Sequence, residues 1–377
     1  MKIMISAGEA SGDIYGAYLA QKLLELNPEI RLFGVGGAKM KEQGVEILRD
    51  PTAISAVGLT EVLANLPTHG RVLTQAAREL ERISPDCLVL IDFPEFNMRL
   101  AKRAASQGIP QVYLFPPTAW AWRKRRAKTL ARLGTTIASV FPLEESTYRQ
   151  AGADVRFVGH PLLDLVDHRG PDKKESARRD LGLDFEEIIG ILPGSRDQEI
   201  KQLLPTMLRA ASLIRQARPK VGLLLPLSHT VSYDMIREYV GESGLPVRVV
   251  AGETHRCMAA SDALMIASGT ATMEATIVGT PMVVIYKTSL PTYFLARLLV
   301  DIPHISWPNI LMEKRIVPEL LQDEAEPETI ARLLLMILEN PSLSGEIQDN
   351  LAEAVSKLGS PGALRRTAEL ILEVARK

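Results

Sequence analysis

Short, unbroken apolar runs alternate along this chain with longer stretches whose apolar residues recur every three or four positions. The runs at 2–7, 86–92, 111–115, 136–141 and 155–158 fill the first part, and those at 188–192, 221–225, 246–250, 263–267 and 282–286 fill the second. Continuous Val, Ile and Leu over such short spans suits strands covered on both faces. The stretches between them read as helices. In residues 13–27, Ala17, Ala20, Leu23 and Leu24 share one face, and Pro28 stops the pattern. Strand and helix in alternation predict parallel α/β sheets with right-handed crossovers.

The alternation starts twice. Residues 159–186 are polar, carry Pro161 and Pro171, and lead into a new strand, loop and helix at Ile188. A domain boundary near residue 162 follows, giving domains at 1–162 and 163–345 and closing helices at 346–377. A length of 377 residues suits two domains.

Charge and cysteine content narrow the partners. Lys and Arg number 44 against 45 Asp and Glu, so no overall basic field points to nucleic acid. The two cysteines, Cys87 and Cys257, sit in apolar surroundings and read as buried thiols. They are too few for a disulfide framework or a cysteine zinc site, and no HExxH spacing occurs, so no metal site is expected. The opening residues enter a strand at once rather than a signal peptide. No uncharged apolar run reaches the ~18 residues of a membrane span. A cytoplasmic protein is expected, one still able to touch a membrane surface.

Ligands of open parallel sheets bind beyond the carboxyl ends of the strands, which directs attention to the loops there. The first, residues 6–13, has Gly8 and Gly12 for tight turning and Glu9, Ser11 and Asp13 as polar groups; it lacks the GxGxxG dinucleotide fingerprint. The Gly34–Gly37 turn after the second strand reads equally as structural. In the loop at 91–97, Asp92 ends a buried strand, where a carboxylate serves as general base or caps the next helix. In the loop at 192–199, Gly194 allows close backbone approach, Ser195 opens a helix, and Arg196 brings a forked donor suited to a diphosphate. A capping box of Ser195 with Gln198 is the plainer reading. In the loop at 267–274, Ser268, Gly269, Thr270, Ala271 and Thr272 suit phosphate contact, and Glu274, one turn into the helix, suits the two hydroxyls of a ribose. No Walker lysine is present, which argues against ATP chemistry.

Two surfaces remain. Trp120 and Trp122 precede the basic run Arg123, Lys124, Arg125 and Arg126, a combination suited to an anionic amphiphile, although a solvated helix face explains the charges alone. Tyr293, Phe294, Leu295, Leu298 and Leu299 form an apolar cluster that reads as core or as an acyl-chain contact. His160 follows Gly159 near the boundary, where a sugar or phosphate contact and a hinge role are both open.

Taken together, SAGEASGDIYGA (6–17), IDFPEFN (91–97), PPTAWAWRKRR (116–126), FVGHPLLD (157–164), LPGSRDQEI (192–200), SGTATMEAT (268–276), PMVVIYK (281–287), PNIL (308–311) and VPELLQ (317–322) resemble the lipid-A-disaccharide synthase family, in the same order along the chain. The resemblance implies two Rossmann-like domains facing a cleft, the GT-B architecture of glycosyltransferases, with an acceptor-side first domain, a UDP-sugar-binding second domain and C-terminal helices returning to the first. It implies an inverting transfer from UDP-2,3-diacylglucosamine to 2,3-diacylglucosamine 1-phosphate, giving a β-1,6 tetraacyl disaccharide phosphate and UDP in lipid A biosynthesis. By the same resemblance Asp92 is the base, with Glu9 or Asp13 as alternatives. Arg196 and residues 268–272 hold the diphosphate, Glu274 the ribose, and Asn309, Glu319 and Gln322 further donor contacts. The Trp120–Arg126 segment and His160 meet the acceptor or lipid. No cofactor is implied. A homodimer and peripheral contact with the inner membrane are. One departure stands out: family members carry a strongly apolar segment after the second strand, whereas residues 57–73 here mix Val62, Leu63 and Leu66 with Pro67, Thr68 and His69. A UDP-sugar epimerase, or a glycosyltransferase with a soluble acceptor, would share the fold. An oxidoreductase would need the dinucleotide fingerprint that is absent.

Overall fold

A computed structural model describes residues 1–50, 66–119, 124–167, 171–228, 230–288 and 303–377. The chain divides into two compact units, Met1–Asp164 with Leu358–Lys377, and Leu165–Lys357.

The first unit is a parallel sheet of seven strands: β1 (Lys2–Ala7), β2 (Arg31–Val35), β3 (Glu46–Arg49), β4 (Cys87–Ile91), β5 (Gln111–Leu114), β6 (Thr136–Ser139) and β7 (Val155–Phe157). Their order is β3-β2-β1-β4-β5-β6-β7. The central strands are buried along nearly their whole length, as continuous apolar runs require when helices cover both faces. Strand order reverses between β1 and β4, where Ile3–Ala7 pair in register with Cys87–Ile91. Connections leave in opposite directions on either side of that pair, so a crevice opens beyond its carboxyl ends.

The second unit repeats the plan with β8 (Ile188–Leu192), β9 (Gly222–Leu227), β10 (Val247–Ala251), β11 (Ala263–Ala267), β12 (Met282–Tyr286) and β13 (Glu319–Leu321), ordered β10-β9-β8-β11-β12-β13. Its reversal lies between β8 and β11. Both units are Rossmann-like. Three strands lie outside the apolar runs read from the sequence, β2, β3 and β13. β3 is a largely solvent-touched edge with one neighbour, and β13 has only three residues.

The return of the chain begins at Leu358, later than residue 346. The helix Pro341–Ser356 stays on the second unit, burying Ile347, Leu351 and Ala354 beside the helices Thr270–Val278 and Pro327–Glu339. Only the helix Ala363–Val374 completes the first unit. It packs on the helix Ala10–Leu26 and against β4, β5 and β6, with Leu364, Ala368 and Ile371 buried. The Asp164 carboxylate accepts from the N–H groups of Gly362 and Leu364, and Arg366 donates to the Val158 carbonyl at 2.9 Å. Cys87 and Cys257 are buried free thiols, each pushed up to about 12 chiefly by desolvation. Among the described residues no helix is long and apolar enough to cross a membrane.

Candidate active site

Each reversal of strand order collects sequence-predicted polar residues. In the first unit these are Glu9, after β1, and Asp92, after β4. Asp92 and the next residue, Phe93, both hold left-handed backbone, with φ of 47° and 49°. Non-glycine residues reach that region at a cost of roughly 1–2 kcal/mol each. A neighbouring strand end repeats the feature in Phe115, with φ of 54°.

The helix Pro94–Ser106 is capped by Phe93 with no side-chain cap bond, so Asp92 is not an N-cap. Its carboxyl is pushed up to about 6, mainly by desolvation and next by the Glu9 charge, against a smaller lowering by the Phe93 amide. Gly8 is needed here, because a Cβ at that position would overlap the Phe93 ring. The Ser6 hydroxyl donates to Asn97 Oδ1 at 2.7 Å. Asn97 Nδ2 reaches the carbonyls of Asp92, Ile91 and Ser6 at 2.8, 3.1 and 3.3 Å. The Tyr113 hydroxyl also donates to the Asp92 carbonyl, at 2.9 Å.

Asp13, an alternative for the base, is engaged with backbone. Its two oxygens accept from the backbone N–H groups of Gly37, Lys39 and Met40 at 2.8, 3.0 and 3.2 Å, and it is buried. It caps the helix Ala38–Glu42, an N-terminus with no side-chain cap of its own. The glycine turn at 34–37 belongs to this structural arrangement.

His160 is buried against Phe115 and Phe141, with ring centroids 5.5 and 5.0 Å away. Its Nδ1 accepts the Leu162 N–H at 3.1 Å, and burial pushes it down to about 3. The ring is therefore neutral, with its proton on Nε2. Glu144, on the helix Pro142–Gln150, reaches back to the Val140 N–H and is pushed up to about 8 by burial.

Of the basic run, Lys124 and Arg125 are exposed, while Arg126 is largely covered and paired with Glu95. Trp120, Trp122 and Arg123 lie outside the described residues, as do the cluster at 293–299 and most of the segment 57–73.

In the second unit the loops after β8, β9, β10 and β11 line one cavity of about 580 Å³. Gly194, Ser195, Arg196, Ser268, Gly269, Thr270, Ala271 and Glu274 all open onto it. Gly194 has φ of 116°, and the Glu199 carboxylate accepts the Ser195 N–H at 3.0 Å. The helix Asp197–Ala217 has Arg196 as its cap without a side-chain bond, so the Ser195–Gln198 capping box is absent. Arg196 is mostly exposed, 3.4 Å from Glu199. Glu274 Oε2 lies 3.4 Å from His255 Nε2. His255, with Glu253, Thr254 and Arg256, was missed from sequence, although Gly252 after β10 marks the same strand-to-helix turn as the other loops.

Four expected donor contacts are hydrogen-bonded within the polypeptide. Thr272 is buried, with its hydroxyl donating to the Gly269 carbonyl at 2.8 Å. Glu319 accepts from Ile305 N, Ser306 N, Ser306 Oγ and Asn309 Nδ2. Asn309 Oδ1 accepts the N–H groups of Ile316 and Val317. Gln322 clasps both backbone groups of Thr288, at 2.7 and 2.9 Å. Buried carboxylates and amides satisfied in this way shape loops. Among the described residues no group of three His, Cys, Asp or Glu is placed to hold a metal ion.

The sequence profile of the lipid-A-disaccharide synthetase family matches residues 3–374. The chain is 40% identical to a lipid-A-disaccharide synthase of Syntrophus aciditrophicus, over 100% of this chain and 98% of that one. It is 39% identical to the one of Myxococcus xanthus, over 99% and 97%. Among solved structures it resembles a UDP co-structure of S. aureus MnaA, with a TM-score of 0.69 at 13% identity over 100% and 98% of the chains. It also resembles a glycosyltransferase of Rickettsia africae, with a TM-score of 0.58 at 12% identity over 100% and 99%. At such identities the last two speak for the fold alone.

Proposed function

Since this chain belongs to the lipid-A-disaccharide synthase family, we propose that its donor is UDP-2,3-diacylglucosamine, its acceptor 2,3-diacylglucosamine 1-phosphate and its catalytic base Asp92. Transfer of a sugar from a UDP-sugar to a sugar phosphate, in lipid A biosynthesis, is the activity of the family. The carrying observation for the base is the half-buried Asp92 carboxyl, raised to about 6 at the reversal of strand order. That value leaves it ionised at neutral pH yet more basic than an ordinary carboxylate.

In this reading Asp92 takes the proton of the acceptor 6-hydroxyl. The oxygen attacks the donor anomeric carbon on the face opposite the diphosphate, the bond to UDP breaks, and configuration inverts. Glu9 sustains the basicity of Asp92 through its charge. Arg196 and the loop amides at 269–271 would offset the charge gathering on departing UDP, and Glu274 would take the ribose hydroxyls. His160, a neutral Nε2–H donor, is assigned to the acceptor. No metal is needed for these steps. Exposed Lys124, Arg125 and Lys128 supply a local positive face for anionic lipid, and peripheral attachment to the membrane is part of the proposal.

The test is incubation with the two acylated substrates, without added metal, followed by mass spectrometry. A tetraacyl disaccharide phosphate with UDP supports the proposal. UDP released without disaccharide would assign the acceptor elsewhere, and dependence on a divalent cation would overturn the metal-free step.

A further inference from the structure

The left-handed turn that carries Asp92 is held by groups that no substrate role explains. Asn97 sits on the first turn of the helix Pro94–Ser106 and is fully buried. A buried amide needs partners for both ends. Asn97 finds them in Ser6 Oγ on one side and three carbonyls on the other, those of Ser6, Ile91 and Asp92. It therefore ties the end of β1 to the end of β4 across the reversal. The Asp92 carbonyl receives a second donor, the Tyr113 hydroxyl from β5, so both of its lone pairs are engaged. A carbonyl fixed from two directions fixes the peptide plane, and with it the direction of the side chain that precedes it. With the Asp92 N–H on the Leu114 carbonyl and the Asn97 N–H on the Phe93 carbonyl, these bonds hold two successive non-glycine residues at positive φ against their steric preference.

We infer that Asn97 and Tyr113 are positioning residues for the transfer: their shared hold on the Asp92 carbonyl locks the left-handed turn and aims the Asp92 carboxylate. The role rests on Asp92 being the base. It differs from ordinary core packing in its readout. A packing defect lowers the amount of folded enzyme, whereas a loosened turn lowers the rate of every folded molecule and lets water reach the carboxylate. The ionisable groups that act on Asp92 are Glu9 after β1, Tyr113 on β5 and Glu144 on the helix Pro142–Gln150. Glu9 and Glu144 stay in place in every variant, and the Tyr113 phenol, raised by burial, is uncharged near pH 6, so added water alone would move the acid limb of the rate.

The experiment uses the full-length enzyme with Tyr113→Phe, Asn97→Ser and Ser6→Ala, beside Asp92→Asn. Turnover, KM for both substrates, UDP affinity and the pH profile of kcat are measured for each. Tyr113→Phe and Asn97→Ser should lower kcat about 10- to 100-fold, the scale of a misaimed catalytic group, with KM and UDP affinity held within about twofold. The acid limb of kcat should move to lower pH in Tyr113→Phe, and Ser6→Ala should show the same trend more weakly. Tyr113→Phe keeps the ring and carries the test if Asn97→Ser does not fold. An inactive Asp92→Asn beside a Tyr113→Phe of wild-type rate and unmoved acid limb would overturn the positioning role and leave the base in place. An active Asp92→Asn would overturn the base, and the positioning role with it.

Discussion

At the scale of single residues, the pH dependence of Asp92 has two signs to keep apart. As the proposed base Asp92 must be ionised, so kcat should fall as pH drops through about 6, with Asp92→Asn losing about 10²–10⁴-fold and UDP affinity unchanged by calorimetry. Stability runs the other way. A carboxyl raised from 3.8 to about 6 on folding stabilises the fold fully below 3.8 and loses that contribution as pH rises to about 6. Asp92→Asn should therefore melt above wild type at pH 7, by about 1 kcal/mol once solvent screening of a half-buried group is allowed for, and the gap should close at pH 4. In the second unit Glu274→Gln should weaken UDP binding about tenfold, leaving melting in the absence of UDP nearly unchanged. Sequence alone brought out Asp92, Glu9, Arg196 and Glu274, because each follows a strand end. It did not show that Asp13, Asn309 and Glu319 bind their own polypeptide, because a carboxylate or amide that satisfies distant backbone looks the same in one dimension as one that meets a substrate.

At the scale of elements, the loops divide into those that offer backbone to a ligand and those that bind their own. Asp13 belongs to the second kind. Asp13→Ala would leave three buried or part-buried N–H groups without a partner and should cost about 1–3 kcal/mol in thermal or urea unfolding, while the folded fraction keeps kcat within a few-fold at low temperature. A loss of kcat without a loss of stability would return Asp13 to the catalytic group. Strands were legible where both faces are covered, as in β4 and β11, and not where the pattern breaks down at an edge, as in β3. The loop after β10 escaped notice since Glu253, Thr254 and His255 look ordinary until the sheet order sets them beside Glu274.

At the scale of the whole molecule, the chain divides into two compact units, and a ligand held by one should stabilise that one. The cavity proposed for UDP is lined wholly from within Leu165–Lys357. UDP at 100 times its Kd should stabilise that unit by about 2.7 kcal/mol and raise its melting transition in calorimetry, leaving the transition of the first unit in place. Equal shifts of both transitions would mean that the units unfold as one. The double start of the pattern near Ile188 made the two sheets legible. The placement of residues 346–356 was not, because apolar periodicity tells that a helix buries a face and not which sheet receives it.

That late return also sets a timetable for synthesis. The first unit lacks its covering helix until Leu358–Lys377 has left the ribosome, and the whole of Leu165–Lys357 comes out before it. At ~5–20 residues per second, those roughly 190 residues occupy about 10–40 s. Through that interval the nascent sheet shows the apolar patch over β4–β6 that Leu364, Ala368 and Ile371 will cover, while the second unit is free to mature. The protein is thus built out of order, the second unit first, and its earliest-made half is the client that a chaperone would meet.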